Sequence, residues 1–358
     1  MRKINSIFPS AIILSGLVLG ITLISCKNSS SDQKDATLSD IKALTAEEEN
    51  QLYTQASSLF GSVSSLPDNT SSEEMIALGK MLYHDTRLSK DQTISCASCH
   101  QLDKYGVDNL AFSPGDTREL GGRNSPSAYY SSLHAMSFWD GRAKDVEEQA
   151  GGPILNPVEH NIPSEAFLEK RLQGVDEYKT IFAKVYPGTA QPITFANITK
   201  AIGAFERQLN PPSRFDKWID GEKDALTVDE KVGLKTFIES GCITCHSGIA
   251  FGGGMLQKFG LFGDYWELTK SKKIDFGRHD VTKEEGDKYF FKVPSLRNIA
   301  MTYPYFHDGS VDDLDEAVRI MGTLQNGKDL SDAEVNSIVV FLKSLTMELD
   351  EKTKKLIQ

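Results

Sequence analysis

Two short stretches of this 358-residue chain share the pattern Cys-x-x-Cys-His, at residues 96–100 and 242–246. The two thiols of such a stretch can form thioethers with the vinyl groups of a haem, and the adjoining histidine can ligate the iron. The pattern therefore predicts two covalently bound haems c. The predicted attachment and ligand residues are Cys96, Cys99, His100, Cys242, Cys245 and His246.

A structural zinc site, a thioredoxin-like redox pair and two ordinary disulfides are the alternatives for these cysteines. A zinc site would require both pairs to converge on one tetrahedral centre, but about 140 residues separate them and each pair has its own histidine. A thioredoxin-like pair would follow a strand in a βαβ unit, and no such unit is evident. The haem interpretation is therefore favoured.

The length and composition indicate a globular protein of two domains, one for each haem. Hydrophobic residues make up 39% of the chain and charged residues 25%, and the formal net charge is −11. An acidic surface argues against nucleic-acid binding and would attract a basic partner.

The amino terminus resembles an export signal. A basic start at residues 1–3 precedes an apolar run at residues 11–24, which is too short to span a bilayer comfortably. The run ends in Leu-Ile-Ser-Cys, which resembles a lipobox, so residues 1–25 are predicted to be a lipoprotein signal peptide and Cys26 the lipidated residue, with plain cleavage as the alternative. We therefore expect export to the periplasm or cell envelope, with membrane attachment only through this lipid.

Helix signals dominate the rest of the chain, so the predicted class is mostly α. Helices beginning near Ser72 and Val228 each lead into a haem motif, as in small class I c-type cytochromes. A final helix is expected from Asp332 to Leu345. Four capping boxes are predicted, at Thr45-x-x-Glu48, Ser71-x-x-Glu74, Thr227-x-x-Glu230 and Ser331-x-x-Glu334.

The segments that follow the two haem motifs are similar in sequence. Arg-Asn and Phe-Trp-Asp-Gly follow the first, at residues 123–124 and 138–141, whereas Arg-Asn and Phe-His-Asp-Gly follow the second, at residues 297–298 and 306–309. This predicts two tandem class I cytochrome c-like haem domains related by internal duplication. The predicted boundaries are 26–70 for a tether and amino-terminal helix, 71–210 and 211–348 for the two haem domains, and 349–358 for a tail. Packing of the last helix of the second domain on the first domain is left open.

The sixth iron position distinguishes the two copies. In the second copy, a helix predicted to end at residues 320–322 offers Met321, whose thioether would close the iron and favour electron transfer. The first copy has no methionine at residues 147–160 but offers Glu159 and Gln149, on what is predicted to be a Gly/Pro-rich loop. A carboxylate and an amide are a suitable acid/base pair for peroxide.

These motifs together resemble the bacterial dihaem cytochrome c peroxidases, a family that also contains the methylamine-dehydrogenase maturation enzyme. The resemblance runs from about residue 73 to residue 346. It rests on the motifs at residues 96–100, 123–126, 138–142, 149–153, 156–159, 242–246, 294–298, 304–309 and 321–322.

The resemblance implies a role for each haem. His100 would be the proximal ligand of a low-potential peroxidatic haem, and His246 with Met321 would hold a high-potential haem at which electrons enter. Glu159 would be the distal acid/base and Gln149 its helper. Trp139 would be the electron relay between the haems, a role compatible with that of a core aromatic at a domain interface.

The resemblance also implies an interdomain calcium ion, bound by Asn124 and the backbone carbonyls of Thr302 and Pro304. Carbonyl ligands leave no signature in the sequence, so spacing alone does not predict this site. Relatives are often dimers, so a homodimer is also expected.

One departure from the family pattern concerns the peroxidatic iron. Many members have a histidine between the first haem motif and the Arg-Asn-x-Pro segment, which ligates this iron in the oxidised enzyme; no histidine lies between Gln101 and Arg123 here. We therefore expect an iron that is open when oxidised. His134 and His160 are the candidate substitutes.

The predicted activity is reduction of hydrogen peroxide to water with electrons from a small cytochrome c or cupredoxin. One alternative is a non-catalytic dihaem carrier, in which a side chain such as His160 closes the first iron. A maturation enzyme that oxidises a partner protein is another, but it would be expected to carry tyrosine in place of Met321. A peroxide sensor or structural lipoprotein is the third.

Overall fold

The computed structural model describes residues 43–357, apart from the side chain of Lys352. The predicted signal peptide, tether and lipidation site at Cys26 lie outside these residues. Within them, no helix is both long and apolar enough to cross a membrane. Helices dominate the regular secondary structure, as predicted. They are α1 (Ala46–Leu59), α2 (Glu73–His84), α3 (Cys96–Cys99), α4 (Val146–Leu155), α5 (Glu165–Gln173), α6 (Asp176–Val185), α7 (Phe195–Glu206), α8 (Arg214–Ile219), α9 (Val228–Glu239), α10 (Tyr265–Thr269), α11 (His279–Thr282), α12 (Leu314–Asn326), α13 (Asp332–Lys343) and α14 (Glu351–Ile357).

Two three-residue strands, β1 (Leu256–Lys258) and β2 (Phe290–Lys292), form an antiparallel pair in which Leu256 lies opposite Lys292. The capping boxes predicted at Thr45, Thr227 and Ser331 are confirmed. The box predicted at Ser71 is wrong, because the Ser72 hydroxyl caps α2 by accepting from the Met75 amide at 3.2 Å.

Two helix pairs organise the larger buried clusters. In one cluster α2 packs against α7, and the buried members come from residues 63–209 together with Met347. In the other cluster α9 packs against α13, and the buried members come mainly from α1 and residues 215–345. The predicted domain boundary at residue 210 falls between these two ranges and stays a prediction.

A glycine allows the close approach within each helix pair. A Cβ on Gly79 of α2 would lie 1.9 Å from the Ala201 carbonyl oxygen of α7. A Cβ on Gly233 of α9 would lie 2.1 Å from the Ser337 carbonyl oxygen of α13. Any larger residue at either position would push the helices apart.

Two seven-residue turns, at residues 137–143 and 305–311, have the same backbone form. Each closes with an antiparallel bridge between its first and last residues. The second and fifth residues of each have positive φ, at 66° and 64° in the first turn and 70° and 57° in the second. Trp139 and His307 are therefore the third residues of equivalent turns.

An ion pair without solvent exposure joins distant segments. The Arg297 guanidinium donates to both carboxylate oxygens of Asp216, at 2.8 and 2.9 Å, and both side chains are 0% exposed. The Asp216 carboxylate also accepts from the amides of Ser213 and Val63. Burial alone would raise the pKa of Asp216, but Arg297 and these hydrogen bonds hold it below its usual value.

Three predicted elements differ from the structure. Residues 149–153, which were predicted to form a loop, belong to α4. Asp145 caps this helix, and Gly151 and Gly152 leave room for the rings of Phe195 and Phe138. The helix that carries Met321 does not end at residues 320–322 but continues to Asn326, with Gly327 in the left-handed region after it. The predicted tail contains α14, whose Leu356 and Ile357 pack on the first cluster.

Candidate haem sites and peroxide site

The first haem motif forms the one-turn helix α3 and presents His100 at its end. The Pro126 carbonyl oxygen lies 2.9 Å from Nδ1 of His100, and the Tyr83 hydroxyl donates to the His100 carbonyl at 2.7 Å. A hydrogen bond at Nδ1 orients an imidazole and leaves Nε2 for a metal. Burial lowers the pKa of His100, which favours the neutral, metal-binding form.

The second motif repeats this arrangement. Nδ1 of His246 lies 3.1 Å from the Phe251 carbonyl oxygen, and burial lowers the pKa of His246 as well. Met321, from the middle of α12, lines the same largely apolar cavity as His246, Cys242 and Cys245. None of the four motif cysteines forms a disulfide, so all four thiols are available for thioethers. The residues present therefore fit a covalent haem with histidine and methionine ligands.

Glu159 lies in the turn that follows α4, close to the first haem motif. Its carboxylate accepts a hydrogen bond of 2.7 Å from the Asn156 side-chain amide. Burial raises the pKa of Glu159, and the charge of Arg142 and the bond from Asn156 only partly offset this effect. Burial also raises the pKa of the Cys99 thiol to about 11, with a smaller contribution from the nearby Glu159 charge.

A tight contact fixes the backbone of this turn. The Asp116 amide donates to the Glu159 carbonyl at 2.8 Å. A Cβ on Gly115 would lie only 1.8 Å from the Val158 carbonyl oxygen, so this close approach requires glycine. The segment between the first motif and Arg123 is thereby held against the Glu159 turn.

Arg142 is a site residue to which the sequence assigned no role. Its guanidinium donates to both carboxylate oxygens of Asp140, at 3.0 and 2.8 Å, and lies 3.4 Å above the Phe138 ring. Arg123 donates to the same Asp140 carboxylate at 2.6 Å and also pairs with Asp275. This network places a fixed positive charge beside Glu159. The only sequence signal was the position of Arg142 at the end of the Phe-Trp-Asp-Gly-Arg motif.

Gln149 belongs to the same segment as Glu159 but forms no hydrogen bond with it. It lies on α4, half-buried, and its side chain makes no hydrogen bond to any residue within the described range. The structure therefore leaves its amide free to bind a ligand.

Trp139 lies in the wall of the cavity that holds His246 and Met321. Its indole N–H donates to the Asn124 carbonyl at 2.9 Å, and its ring packs edge-on against His307 with 6.4 Å between centroids. The same cavity wall includes Pro126, which is the hydrogen-bond partner of His100. Trp139 is thus connected to the surroundings of both haem motifs.

Asn124, Thr302 and Pro304 all line this cavity. The Asn124 side-chain amide donates to the Leu110 carbonyl at 2.9 Å, and its Oδ1 accepts no hydrogen bond from residues 43–357. The Thr302 and Pro304 carbonyls accept no hydrogen bond from residues 43–357. Three unused oxygens suit a hard cation such as calcium. Across the part of the chain that is described, no cluster of three or more His, Cys, Asp or Glu side chains could hold a metal.

The two candidate substitute histidines lie in different places. His134 lies beside the second haem motif, where its Nδ1 is 2.9 Å from Nζ of Lys292. His160 is buried next to Glu159, and its Nδ1 lies 3.0 Å from the Leu88 carbonyl oxygen. Burial lowers the pKa of His160, and the charge of His100 lowers it further. Of the two, His160 is the one whose pKa the charge of His100 affects.

The chain is similar to known di-haem cytochrome c peroxidases. A family model described as di-haem cytochrome c peroxidase matches residues 73–224. The cytochrome c551 peroxidase of Nitrosomonas europaea is 46% identical over 281 residues, which cover 78% of this chain and 81% of that protein. The cytochrome c551 peroxidase of Pseudomonas aeruginosa is 42% identical over 301 residues, which cover 82% and 86%.

A solved structure of similar fold is described as a MauG-like protein associated with microbial copper homeostasis. It superposes with a TM-score of 0.69 and 30% sequence identity. The match covers 82% of this chain and 93% of that one.

Proposed function

The chain belongs to the di-haem cytochrome c peroxidase family, and we propose that it reduces hydrogen peroxide to water with electrons from a small cytochrome c or cupredoxin. The family implies two c-type haems, which the two Cys-x-x-Cys-His motifs fit. When bound, the haems supply the redox chemistry and the iron at which peroxide binds. The observation that carries the proposal is the half-buried carboxyl of Glu159, with its raised pKa, beside the first of these motifs.

Glu159 is proposed as the acid/base. Its carboxylate would take a proton from one peroxide oxygen and return it to the other, which leaves as water. The raised pKa favours this role, because a group that both accepts and releases a proton works best when its pKa approaches the working pH. The free amide of Gln149 would orient peroxide and stabilise charge as the O–O bond breaks.

Electron entry is proposed at the second motif. His246 and Met321 would both ligate its iron, which excludes substrate and raises the reduction potential. Trp139 would relay electrons towards the haem whose iron His100 would ligate. Its hydrogen bond to Asn124 and its packing against His307 support this role. They hold the indole in the cavity wall that is common to the surroundings of both haem motifs.

A calcium site and an internal duplication are proposed together with the activity. A calcium ion would be held by Asn124, Thr302 and Pro304, whose free oxygens support the assignment. The two haem regions would descend from one duplicated cytochrome c-like domain. The equivalent turns of Trp139 and His307 and the glycine contacts of the two helix pairs support that origin.

Localisation and assembly rest on the sequence and the family. We propose export to the periplasm or cell envelope with a lipid anchor at Cys26, and a homodimer as the assembly. Expression of a Cys26→Ser variant tests the anchor: the protein should move from the membrane fraction to the soluble fraction.

A peroxide-consumption assay with reduced donor tests the activity. Loss of turnover in Glu159→Gln, with both haems retained, is the expected result. Turnover by this variant would remove Glu159 from the mechanism, and absence of turnover in the unaltered protein would favour the non-catalytic electron carrier.

A further inference from the structure

A buried lysine lies at the second haem site without an acidic partner. Lys292 ends strand β2, is 5% exposed, and lines the cavity that contains Cys242, Cys245, His246 and Met321. Its ammonium contacts no carboxylate in the described structure, where its one side-chain partner is Nδ1 of His134 at 2.9 Å. A buried charge without a counter-ion is costly, so retaining one here indicates a missing anion.

The hydrogen bonds of the Lys292–His134 pair point to an acceptor. An ammonium is a donor only, so it donates to Nδ1 of His134 and fixes the imidazole proton on Nε2. That Nε2–H is itself buried and has no hydrogen-bond partner in the part of the chain that the structure describes. Two donors of the ammonium and one of the imidazole therefore remain without an acceptor among residues 43–357. Buried donors are nearly always satisfied, and a carboxylate, which only accepts, is a suitable partner for the ammonium.

The position of Lys292 is fixed by its backbone. Its amide donates to the Trp139 carbonyl at 2.6 Å, and strand pairing places it opposite Leu256. A Cβ on Gly253 would lie 2.2 Å from the His134 ring, so this glycine leaves the room that the imidazole occupies. The pair is thus held rigidly against the segment that carries the proposed electron relay.

We propose that the Lys292 ammonium, positioned by His134, binds a propionate carboxylate of the haem attached at Cys242 and Cys245. The inference rests on the proposed ligation of that haem by His246 and Met321. A fixed positive charge beside a haem favours the reduced state, which has one positive charge fewer. Lys292 would therefore help to keep this haem at high potential and ready to accept electrons.

Burial lowers the pKa of Lys292 to about 8, which is its value with no anion beside it. A bound carboxylate would stabilise the charged form. The ammonium is then present throughout the neutral range in which the enzyme would work.

Spectroelectrochemical titration of the haem-loaded protein tests this inference. In Lys292→Met, the reduction equilibrium of the His246/Met321 haem should shift at least tenfold towards the oxidised form, which is about 59 mV for one electron. Lys292→Arg should stay within threefold of the unaltered protein. Lys258→Met is the matched control, because it removes a charge from the partner strand β1, outside the cavity, and should change nothing.

Resonance Raman spectra of the half-reduced protein separate a propionate contact from a general charge effect. The propionate-bending band of the reduced haem should shift in Lys292→Met and stay in place in Lys258→Met. If Lys292→Met does not load haem, His134→Leu serves instead and should shift the same band.

An unchanged potential and an unchanged propionate band in a haem-loaded Lys292→Met protein would overturn the inference. A shifted potential with an unchanged band would also overturn it, since the charge would then act without contact. If the half-reduced protein contains no haem with histidine and methionine ligands, the proposed ligation and this inference both fail.

Discussion

The side-chain amide of Asn156 donates a hydrogen bond of 2.7 Å to Oε1 of Glu159, three residues later in the same turn. This bond holds one oxygen of a carboxyl whose pKa is raised by burial. The other oxygen receives no hydrogen bond within residues 43–357, as the proposed acid/base role requires.

Replacing Glu159 with Gln should lower kcat by about 10²- to 10⁴-fold, the usual contribution of a positioned acid/base. Glutamine preserves the shape of the side chain but cannot carry the proton. Both haems should remain attached, as judged by the pyridine haemochrome spectrum. The exposed Glu165→Gln is the matched control and should retain full activity. A kcat within threefold of the unaltered protein would contradict the role of Glu159.

Replacing Arg142 with Met should move the acid limb of the kcat/KM profile to higher pH. The Arg142 charge stabilises the Glu159 carboxylate, so its removal raises the pKa of Glu159 further. Less carboxylate is then present at a given acidic pH, and activity falls earlier as the pH drops. Lys144→Met removes an exposed neighbouring charge and should leave the limb in place. An unmoved limb in the Arg142 variant would show that its charge does not act on the catalytic group.

The oxidised protein should contain one high-spin haem and one low-spin haem. No histidine lies between Gln101 and Arg123, and the Asp116 amide ties this segment to the Glu159 backbone. Electron paramagnetic resonance of the fully oxidised protein measures both spin states. Two low-spin six-coordinate haems would contradict the prediction, and His160→Leu would then test whether the buried neighbour of Glu159 is the sixth ligand.

Asp216→Asn should lower the free energy of unfolding by about 3–5 kcal/mol, the usual cost of breaking a buried ion pair by removing one partner. Arg297 would be left charged and without solvent exposure. Guanidinium unfolding followed by circular dichroism measures the change. The exposed Asp224→Asn should change stability by less than about 0.5 kcal/mol. A similarly small effect of Asp216→Asn would show that the pair contributes little.

The sequence predicted the helices best where local signals were complete. The capping boxes at Thr45, Thr227 and Ser331 begin helices in the structure because the cap, the third helical residue and the apolar spacing all agree. Glycine and proline after Gln149 suggested a loop, but contacts with Phe138 and Phe195 stabilise a helix there. Tertiary packing of this kind cannot be read from local propensity.

The chemistry of the candidate site was only partly predictable. Covalent haem attachment is encoded in adjacent residues, so the motifs containing His100 and His246 were evident. The pairing of Lys292 with His134 joins residues 158 positions apart, and no local pattern signals it. The free carbonyls proposed for calcium leave no trace in side-chain identity, so Thr302 and Pro304 could be proposed only from the family resemblance.

The most direct test of the central claim is the electron balance of peroxide reduction by the haem-loaded protein. Reduced small cytochrome c is mixed with hydrogen peroxide and catalytic amounts of protein, and the two reactants are followed together. The account predicts two molecules of cytochrome oxidised for each peroxide consumed, starting from either the oxidised or the half-reduced protein. Failure of a protein with both haems attached to consume peroxide in either state would contradict it.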